Sequence, residues 1–491
     1  MTRLTWKETL LSLLSGILTA FAMPGFGAFV LVFFSLVPLF LVLEKRGGFL
    51  PGFFFGVAFF AIDLRWIATL SRFYPIVVAG LVLLVLVFAM GCGILGAAIA
   101  WRRRSSAWTW LLLAPALFVI AEVLRTLGPL GMGFSTLYAT LFRVPVLIQS
   151  ASLFGPWFIS GIIVAINGSL TLFLRKRDYW FTFLAGGLIL LLAAFSLLPR
   201  TQDGAPLHVA IVSSKVEQEE KLDGRNLVEL RDRYLGLGQE ALRLQPDLII
   251  FPESILPTYI LQNPQLTRSF ADLAQQGSAQ VLLGTGVYQD PKIFNTAALF
   301  SGTGELIGTY DMVHPVPFGE YIPGRSLLEH IGLGGLAESF LPMDLSRGEG
   351  YTPLGDYGTP ICFESTFPKP SRMLTQNGAQ ALITVTNDAW FDESSELITH
   401  FASAVFRAVE NRRWVVQAAN GGISGIVSPD GQIVEWLDAE GVLSGDIQLC
   451  SRTSPYTRFG DLPLLLLLAL AAGSTLMSRV WRRQKSVGNE H

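Results

Sequence analysis

Three short segments in the polar half of the chain could carry nucleophilic chemistry. They are FPES at 251–254, CFE at 362–364 and NDAW at 387–390, and each follows an apolar run typical of a buried strand. A thiol is the most nucleophilic side chain near neutral pH, but only as a thiolate, so a neighbouring base must take its proton. We therefore expect Cys362 to attack an acyl carbonyl and Glu253 to act as its base, with a pKa raised by an apolar pocket.

A structural role is the alternative interpretation of each cysteine. Cys362 could simply be a cysteine at a strand end, Cys450 has no acid or base nearby in sequence, and Cys92 lies in an apolar run. We interpret Cys450 and Cys92 as structural. Three cysteines are too few for a disulfide framework.

The elements that must position these residues lie between about residues 200 and 460. There, short β-branched runs alternate with helical stretches. Strands are predicted at 208–214, 247–252, 281–288, 296–300, 305–310, 361–362, 381–386, 414–419 and 423–427, and helices at 226–244, 369–376 and 396–412. This order predicts two sheets stacked between outer helices, with functional residues at the carboxyl ends of strands.

The remainder of the chain has the composition of a membrane domain. Hydrophobic residues make up 51% of the 491 residues and charged residues only 15%, against about a quarter in soluble domains. Runs long enough to cross a bilayer predict eight spans, at 9–23, 26–43, 48–67, 76–100, 107–121, 151–174, 179–198 and 462–478. The net charge of −2 argues against a nucleic-acid partner.

Basic clusters predict the orientation, because positive loops stay in the cytoplasm. With eight spans, all clusters fall on one side, so both termini are cytoplasmic and the polar insert lies outside, on the periplasmic face in a bacterium. We predict a membrane domain with spans one to seven at 1–199, a catalytic domain at 200–460, and span eight with a cytoplasmic tail at 461–491. At span edges, Asp63, Arg65, Glu122 and Arg125 either pair locally or bind a phospholipid headgroup.

Four motifs in order carry a resemblance to a known family. FPES at 251–254, HPVPFGEYIP at 314–323, ICFES at 361–365 and TNDAWF at 386–391 resemble the nitrilase superfamily, which implies an α-β-β-α sandwich. With seven spans before this domain and one after it, the chain resembles the apolipoprotein N-acyltransferase family. His400, Arg407 and Glu410 also match the family pattern.

The resemblance implies both a reaction and a set of site residues. A cysteine would take an acyl chain from a phospholipid, typically phosphatidylethanolamine, and pass it from the thioester to the α-amino group of an S-diacylglyceryl cysteine on an apolipoprotein. No metal or cofactor is implied, and a monomer is expected in the bacterial inner membrane. The implied roles are general base for Glu253, nucleophile for Cys362, orienting and supporting acids for Glu320 and Glu364, acyl-pocket lining for Trp390, and further substrate contacts for His314, Phe363 and Asn387.

One position departs from the family pattern. A family lysine, thought to stabilise the oxyanion, is expected where this chain has Met312, which brings neither charge nor donor. The loss of one oxyanion donor typically costs about 10²–10³ in rate. His314, two residues further on, could supply a donor from the same side of a strand, and Lys292 and Lys215 are other candidates. A glycine-rich loop at 332–343 is expected over the site, either as plain surface or as a mobile gate.

Three other functions compete with acyl transfer. An amidohydrolase tethered to the membrane would need one anchor rather than eight spans. A non-catalytic binder of lipid or lipoprotein, or an impaired paralogue, would be compatible with methionine at position 312. A transporter is least favoured, because the apolar runs show no paired broken helices or inverted repeat.

Overall fold

The structure is a computed structural model that describes residues 4–46, 48–101, 107–198, 204–223, 226–332 and 334–466, together with 468, 469 and 473. The chain divides into two compact units. The first comprises Met1–Arg125, Ser135–Leu198 and Phe459–His491, and the second Thr126–Phe134 and Pro199–Arg458.

The first unit is helical. Its α-helices are α1 Trp6–Ala22, α2 Val37–Lys45, α3 Phe49–Asp63, α4 Val77–Trp101, α5 Ala107–Arg125, α6 Pro145–Ile148, α7 Ala151–Phe154, α8 Pro156–Lys176 and α9 Trp180–Ala194. Among the described residues, four helical stretches are long and apolar enough to cross a membrane, namely Phe49–Arg72, Val77–Ala100, Pro156–Lys176 and Trp180–Leu197. Most of the predicted span at 462–478 lies outside the described residues.

The segment predicted as a continuous span at 26–43 is broken. It forms a 3₁₀ helix at Phe29–Phe33, and α2 begins only at Val37, where Pro38 favours a helix start. A break exposes backbone groups that lipid cannot satisfy. The buried side chain of Asn167 on α8 satisfies two of them, donating to the carbonyl of Val32 at 2.8 Å and accepting from the amide of Leu36 at 2.9 Å.

The charged residues at the span edges have partners within the first unit. Asp63 accepts a hydrogen bond from the Ser135 hydroxyl at 2.5 Å, and Arg125 donates to the Ser135 carbonyl at 2.7 Å. Glu122 accepts from the amide of Leu137 at 2.7 Å. The guanidinium of Arg65 lies over a phenylalanine ring at 4.2 Å. Of the two interpretations above, these contacts favour local pairing.

The second unit contains two sheets. The strands are β1 Pro206–Ser213, β2 Leu248–Ile250, β3 Gln280–Gln289, β4 Lys292–Phe300, β5 Leu306–Asp311, β6 Tyr357–Gly358, β7 Ala381–Asn387, β8 Val415–Asn420, β9 Ser424–Val427, β10 Ile433–Leu437 and β11 Gly441–Gln448. One sheet has the order β11-β1-β2-β3-β4-β5, and the other β10-β9-β8-β7-β6. The two come together at their strand ends, where Ser214 forms a parallel bridge with Asn420.

Helices accompany both sheets. They are α10 Gln218–Leu222, α11 Leu227–Leu242, α12 Pro264–Gly277, α13 Arg325–His330, α14 Gly334–Phe340, α15 Pro368–Gln376, α16 Ser395–Asn411 and α17 Pro455–Phe459. The start of α12 is encoded locally, because Pro264 occupies its first turn and the Asn263 side chain accepts from the amides of Gln265 and Leu266. Apolar side chains of α11 and α12 form one core with β1, β2 and β3.

Parallel and antiparallel pairings divide each sheet. β1, β2 and β3 run parallel, as do β6, β7 and β8, whereas β4, β5, β9, β10 and β11 are added antiparallel. The carboxyl ends of the parallel strands therefore collect at one edge of each sheet, which is where the predicted site residues follow β2 and β7.

Several elements differ from the sequence predictions. The predicted strand over 361–362 is wrong beyond Ile361, which forms a single bridge to Val385, because Cys362 begins a 3₁₀ helix. The predicted loop at 332–343 contains helix α14, and α13 precedes it. Helix α12 and strands β10 and β11 were not predicted, and β11 closes the first sheet by pairing with β1 from the far end of the domain.

Candidate active site

The candidate nucleophile lies on a strained turn. Cys362 has a positive φ of 48°, in the left-handed region that non-glycine residues rarely occupy, and it opens the 3₁₀ helix Cys362–Thr366. Such strain persists only where surrounding contacts hold it. Here the carbonyl of Cys362 accepts hydrogen bonds from the Ser365 hydroxyl at 2.8 Å and from the Nε2 of His400 at 3.1 Å.

Helix α16 supplies the groups that hold this turn. The other ring nitrogen of His400, Nδ1, lies 3.0 Å from an oxygen of Asp388. Burial alone would lower the pKa of His400, but the charge and hydrogen bond of Asp388 raise it to about 9. His400 is thus an imidazolium near neutral pH, and both nitrogens donate.

Arg407, two turns further along α16, extends the same support. Its guanidinium donates to the carbonyl of Thr366 at 3.2 Å and pairs with Glu410 at 2.6 Å, and both side chains are almost completely buried. Of the three residues that the sequence motifs singled out on this helix, His400 and Arg407 therefore contact the turn that carries the thiol, and Glu410 pairs with Arg407.

The candidate base, Glu253, follows β2 and is 6% exposed. The backbone of β3 comes so close that a Cβ on Gly284 would lie 2.4 Å from the Cα of Glu253. The carboxylate accepts from the Asn295 amide at 2.5 Å and from the backbone N–H of Asn387 at 2.7 Å. The Cys362 thiol is also close enough to this carboxyl for each group to affect the pKa of the other. The structure thus brings the predicted nucleophile and base together.

Burial governs the protonation of this pair. It raises the pKa of Glu253, while the Asn295 hydrogen bond and the charge of Lys221 act in the opposite direction. Burial also raises the pKa of the Cys362 thiol well above its usual range, and the nearby carboxylates of Glu253 and Asp388 add to this effect. A resting thiolate is disfavoured, so the thiol must lose its proton to a base as it reacts.

Asn295 joins the base to a second acid. Its amide, on β4, also donates to Glu320 at 3.2 Å, and Glu320 in turn accepts from the amide of Val316 at 2.7 Å. Burial, followed by the negative charge of Glu253, raises the pKa of Glu320 to about 7. The sulfur of Met312, 1% exposed, lies 3.7 Å from the same amide nitrogen. Met312 therefore lies among the acids of the site.

Glu364 links two loops through hydrogen bonds. It is completely buried and accepts hydrogen bonds from the amides of Ile361, Val313 and His314 and from the Tyr310 hydroxyl, at 2.7–3.2 Å. Burial nonetheless raises its pKa to about 7. These contacts join β5 and the segment after it, which includes Met312, to the turn that carries Cys362.

His314 belongs to an aromatic cluster. Its ring centroid lies 4.6 Å from that of Phe367 and 5.9 Å from that of Phe363, and the ring of Phe134 lies 6.1 Å from Phe363. Burial, with the positive charges of Arg347 and Lys369, lowers the pKa of His314 to about 4. It is therefore neutral near pH 7 and supplies no cation in place of the lysine expected at position 312.

Two other predicted lysine substitutes lie at the surface. Lys215 pairs with Asp438 at 3.0 Å, and Lys292 is exposed at the start of β4. Trp390 is half-buried in the 3₁₀ helix Asp388–Phe391. The side chain of Asn387 bonds the protein on both sides, donating to Gln218 at 2.9 Å and accepting from Asn420 at 2.8 Å.

One buried group has the composition of a metal site. The ligand atoms of Asp388, Glu396 and His400 lie within 4.8 Å of one another. Both ring nitrogens of His400 are already hydrogen-bonded, however, one of them to the nucleophile's own carbonyl. Asp388 also accepts from the Thr386 hydroxyl at 2.7 Å. The arrangement fits a buried histidine–carboxylate pair better than a cation site.

Three residues that shape the site were not predicted from the sequence. Asn295 bonds both Glu253 and Glu320, Gln218 bonds Asn387, and Lys221 lies beside Glu253. Asn295 lies in the middle of an apolar strand, and an isolated amide at such a position could have indicated a functional residue. Gln218 and Lys221 lie in a polar segment with nothing to distinguish them from surface residues.

Comparison with known proteins agrees with this geometry. Residues 225–454 match the carbon-nitrogen hydrolase family, so the second unit is a nitrilase-like α/β domain. Residues 15–169 match the N-terminal domain of apolipoprotein N-acyltransferase. The chain is 31% identical to the apolipoprotein N-acyltransferase of Geobacter metallireducens, over 99% of this chain and 97% of that protein. It is 30% identical to the enzyme of Thermotoga maritima, over 97% and 95% respectively.

The chain belongs to the apolipoprotein N-acyltransferase family, as these matches along nearly its whole length show. The resemblance found in the sequence motifs is confirmed. With its long apolar helices and this family membership, the chain is a membrane acyltransferase.

Proposed function

We propose that this chain moves a fatty acyl chain from a phospholipid to the α-amino group of an S-diacylglyceryl cysteine on an apolipoprotein. The observation that carries the proposal is the Cys362 thiol beside the buried carboxyl of Glu253, where each group affects the pKa of the other. Relatives named for this reaction, matched over nearly the whole chain, give the substrate class.

In the first half-reaction, Glu253 takes the proton of Cys362 as the sulfur attacks the ester carbonyl of the phospholipid. The resulting tetrahedral intermediate collapses, and the carbon–oxygen bond to the glycerol breaks. Glu253 returns the proton to the departing alkoxide, which leaves as a lysophospholipid. The acyl chain remains on Cys362 as a thioester, so the carboxyl has cycled and the thiol has exchanged its proton for the acyl group.

In the second half-reaction, the α-amino group of the acceptor attacks the thioester. Glu253 takes a proton from the nitrogen and delivers it to the departing sulfur, which regenerates the thiol and leaves an amide. Neither half-reaction requires a metal ion or a cofactor. Burial raises the pKa of Glu253, which makes its carboxylate a better proton acceptor than that of an exposed glutamate.

The finer arrangement in the membrane is also proposed. We propose eight spans, with both termini in the cytoplasm and residues 200–460 on the periplasmic face, on the basis of the basic loops. We further propose phosphatidylethanolamine as donor and a monomeric enzyme. A cysteine introduced at exposed Thr303 should react with an impermeant maleimide on spheroplasts. One introduced at exposed Lys45 should react only after permeabilisation. The reverse pattern would refute the orientation.

Mass spectrometry tests the acyl-transfer proposal. After incubation with phosphatidylethanolamine vesicles, the peptide containing Cys362 should gain the mass of one acyl chain, and hydroxylamine should remove it. Cys362→Ala should abolish the adduct. Cys450→Ala, at a buried cysteine remote in sequence from the base, should leave it intact. An adduct that survives Cys362→Ala would disprove the assigned nucleophile.

Met312 favours a second candidate, a binder of lipid or lipoprotein that has lost its chemistry. Its uncharged side chain lies between the acids of the site, where the family pattern expects a cation. The same mass measurement separates the two. An adduct that forms only in Met312→Lys marks this chain as an impaired enzyme, whereas no adduct in either protein supports a binder.

A further inference from the structure

A buried lysine outside the four sequence motifs lies near the base. Lys221 lies on the short helix α10 and is only 4% exposed. Its ammonium group donates to the carbonyl of Ser254, the residue after Glu253, at 3.1 Å. Ser254 has a positive φ of 46°, so this hydrogen bond fixes a strained residue next to the base.

A second contact anchors the same helix to the site. Gln218, one turn before Lys221, accepts from the side-chain amide of Asn387 at 2.9 Å. The backbone N–H of Asn387 donates to the carboxylate of Glu253 at 2.7 Å. Helix α10 thus bonds both Ser254 and Asn387, and the first of these bonds fixes the Lys221 ammonium at the residue next to Glu253.

The charges around Glu253 show why a cation there matters. Asp388 faces Glu253 from another element, and its charge raises the pKa of Glu253. The charge of Glu253 in turn raises the pKa of Glu320, whereas Asn295 and Met312 are neutral. The interaction with Lys221 is mutual, because Lys221 lowers the pKa of Glu253 and Glu253 raises that of Lys221. Burial nevertheless brings the pKa of Lys221 down to about 7.

We infer that Lys221 is a positioning residue that keeps Glu253 available as a carboxylate, and that it supplies this charge in a site where position 312 is methionine. This role rests on the proposed function of Glu253 as the base. Another charged neighbour of Lys221 is Glu220 on its own helix, which in turn faces Arg233 of α11. Arg233 also pairs with Glu440, so Glu220, Arg233 and Glu440 form an ion-pair network that does not require Lys221.

The rate of Cys362 alkylation by iodoacetamide, measured on the full-length protein from pH 5 to 9 by peptide mass spectrometry, tests this inference. It reports on removal of the thiol proton and needs no lipid substrate. Lys221→Met should move the midpoint of the profile upward by about 1 pH unit or more, because an opposite charge next to a carboxylate typically shifts its pKa by that amount. Lys221→Arg should keep the midpoint near that of the parent chain.

Two further variants make the outcome unambiguous. Lys215→Met, at a surface lysine paired with Asp438, should leave the profile unchanged. In a Glu253→Gln background, Lys221→Met should no longer shift the midpoint, since its effect passes through the carboxyl. Replacement of a buried ammonium by methionine removes a desolvation cost, so the protein should remain folded.

Each result decides between the two claims. An unchanged midpoint in Lys221→Met, with a profile that does respond to Glu253→Gln, overturns the role of Lys221 and leaves the base assignment intact. A profile insensitive to Glu253→Gln overturns the base assignment itself. A shift in Lys221→Met that persists undiminished without Glu253 shows that Lys221 does not act through the base. Met312→Lys added to Lys221→Met should return the midpoint toward the parent value.

Discussion

The two sides of Cys362 use charge in opposite ways. On the support side, defined by His400, Asp388, Arg407 and Glu410, each cation lies within 3.0 Å of a carboxylate oxygen. On the acid side, defined by Glu253, Glu320 and Glu364, the carboxyls are held mainly by amide and hydroxyl donors, and burial raises the pKa of each.

The difference follows from what each side must do. Groups that hold a strained turn should keep one protonation state, and a buried ion pair achieves this because loss of either charge leaves the other uncompensated. A general base must change its protonation state twice in each cycle, which a full ion pair would resist. Neutral donors orient the acid-side carboxyls without locking their charge, and Lys221 supplies a cation whose own pKa is about 7.

Glu253→Gln should produce the largest effect and defines the acid side. Glutamine keeps the size and can still accept from the amide of Asn387, but it cannot take a proton. The rate of Cys362 acylation should fall by about 10²–10⁴, the usual contribution of general acid–base catalysis. Single-turnover mass spectrometry measures this rate. An acylation rate within a factor of about 3 of the parent would place the base elsewhere.

On the support side, Arg407→Leu should mainly lower the free energy of unfolding. It removes the cation that pairs with the buried carboxylate of Glu410 at 2.6 Å and should cost about 3–5 kcal/mol in the free energy of unfolding. Thermal and denaturant unfolding in detergent would measure this. Arg407→Leu combined with Glu410→Leu should be less destabilised than the single variant. A double variant that is at least as unstable would mean that the pair acts through packing alone.

The pH dependence of stability should sharpen the contrast through His400. Its pKa is raised to about 9 in the folded protein against about 6.5 when unfolded, so its contribution is complete below pH 6.5 and is lost as pH rises through 9. Up to about 3 kcal/mol should disappear across this window. His400→Gln should flatten this part of the profile. An unaltered profile in His400→Gln would show that the His400–Asp388 pair does not cause this pH dependence.

Met312→Lys should make the acid side resemble the support side, with the smallest expected effect of the four. A cation among Glu253, Asn295 and Glu320 should favour their ionised forms and stabilise the oxyanion, raising the rate of Cys362 acylation by about 10²-fold. Met343→Lys, at an exposed methionine, is the matched control and should change nothing. A rate that stays flat in Met312→Lys would show that Lys221 already satisfies the need for a cation.

Much of the site was predictable because it follows strands. Glu253 and Asn387 each come directly after or at the end of a strongly apolar run, and such ends converge in a layered fold. The pairing of Cys362 with Glu253 was predicted in this way and is present. The conformation of Cys362 was not, since a left-handed φ at a cysteine is imposed by the contacts of its carbonyl with His400 and Ser365.

The membrane unit shows the same limit. Hydropathy identified the apolar runs, but it could not show that the run at 26–43 is broken, because the break depends on the side chain of Asn167, more than a hundred residues away. The local pairing of Asp63 with Ser135 likewise depends on a distant segment.

The sequence by itself determined the family, the reactive residue types and the division into apolar and polar parts. Motifs, composition and hydrophobic period are local properties of a chain, and they need no knowledge of what lies across a sheet. Only the tertiary structure decided which donors orient Glu253, that His400 carries a charge, and that Lys221 lies beside the base. Those properties depend on burial and on partners brought together from distant parts of the chain, and burial is what shifts a pKa.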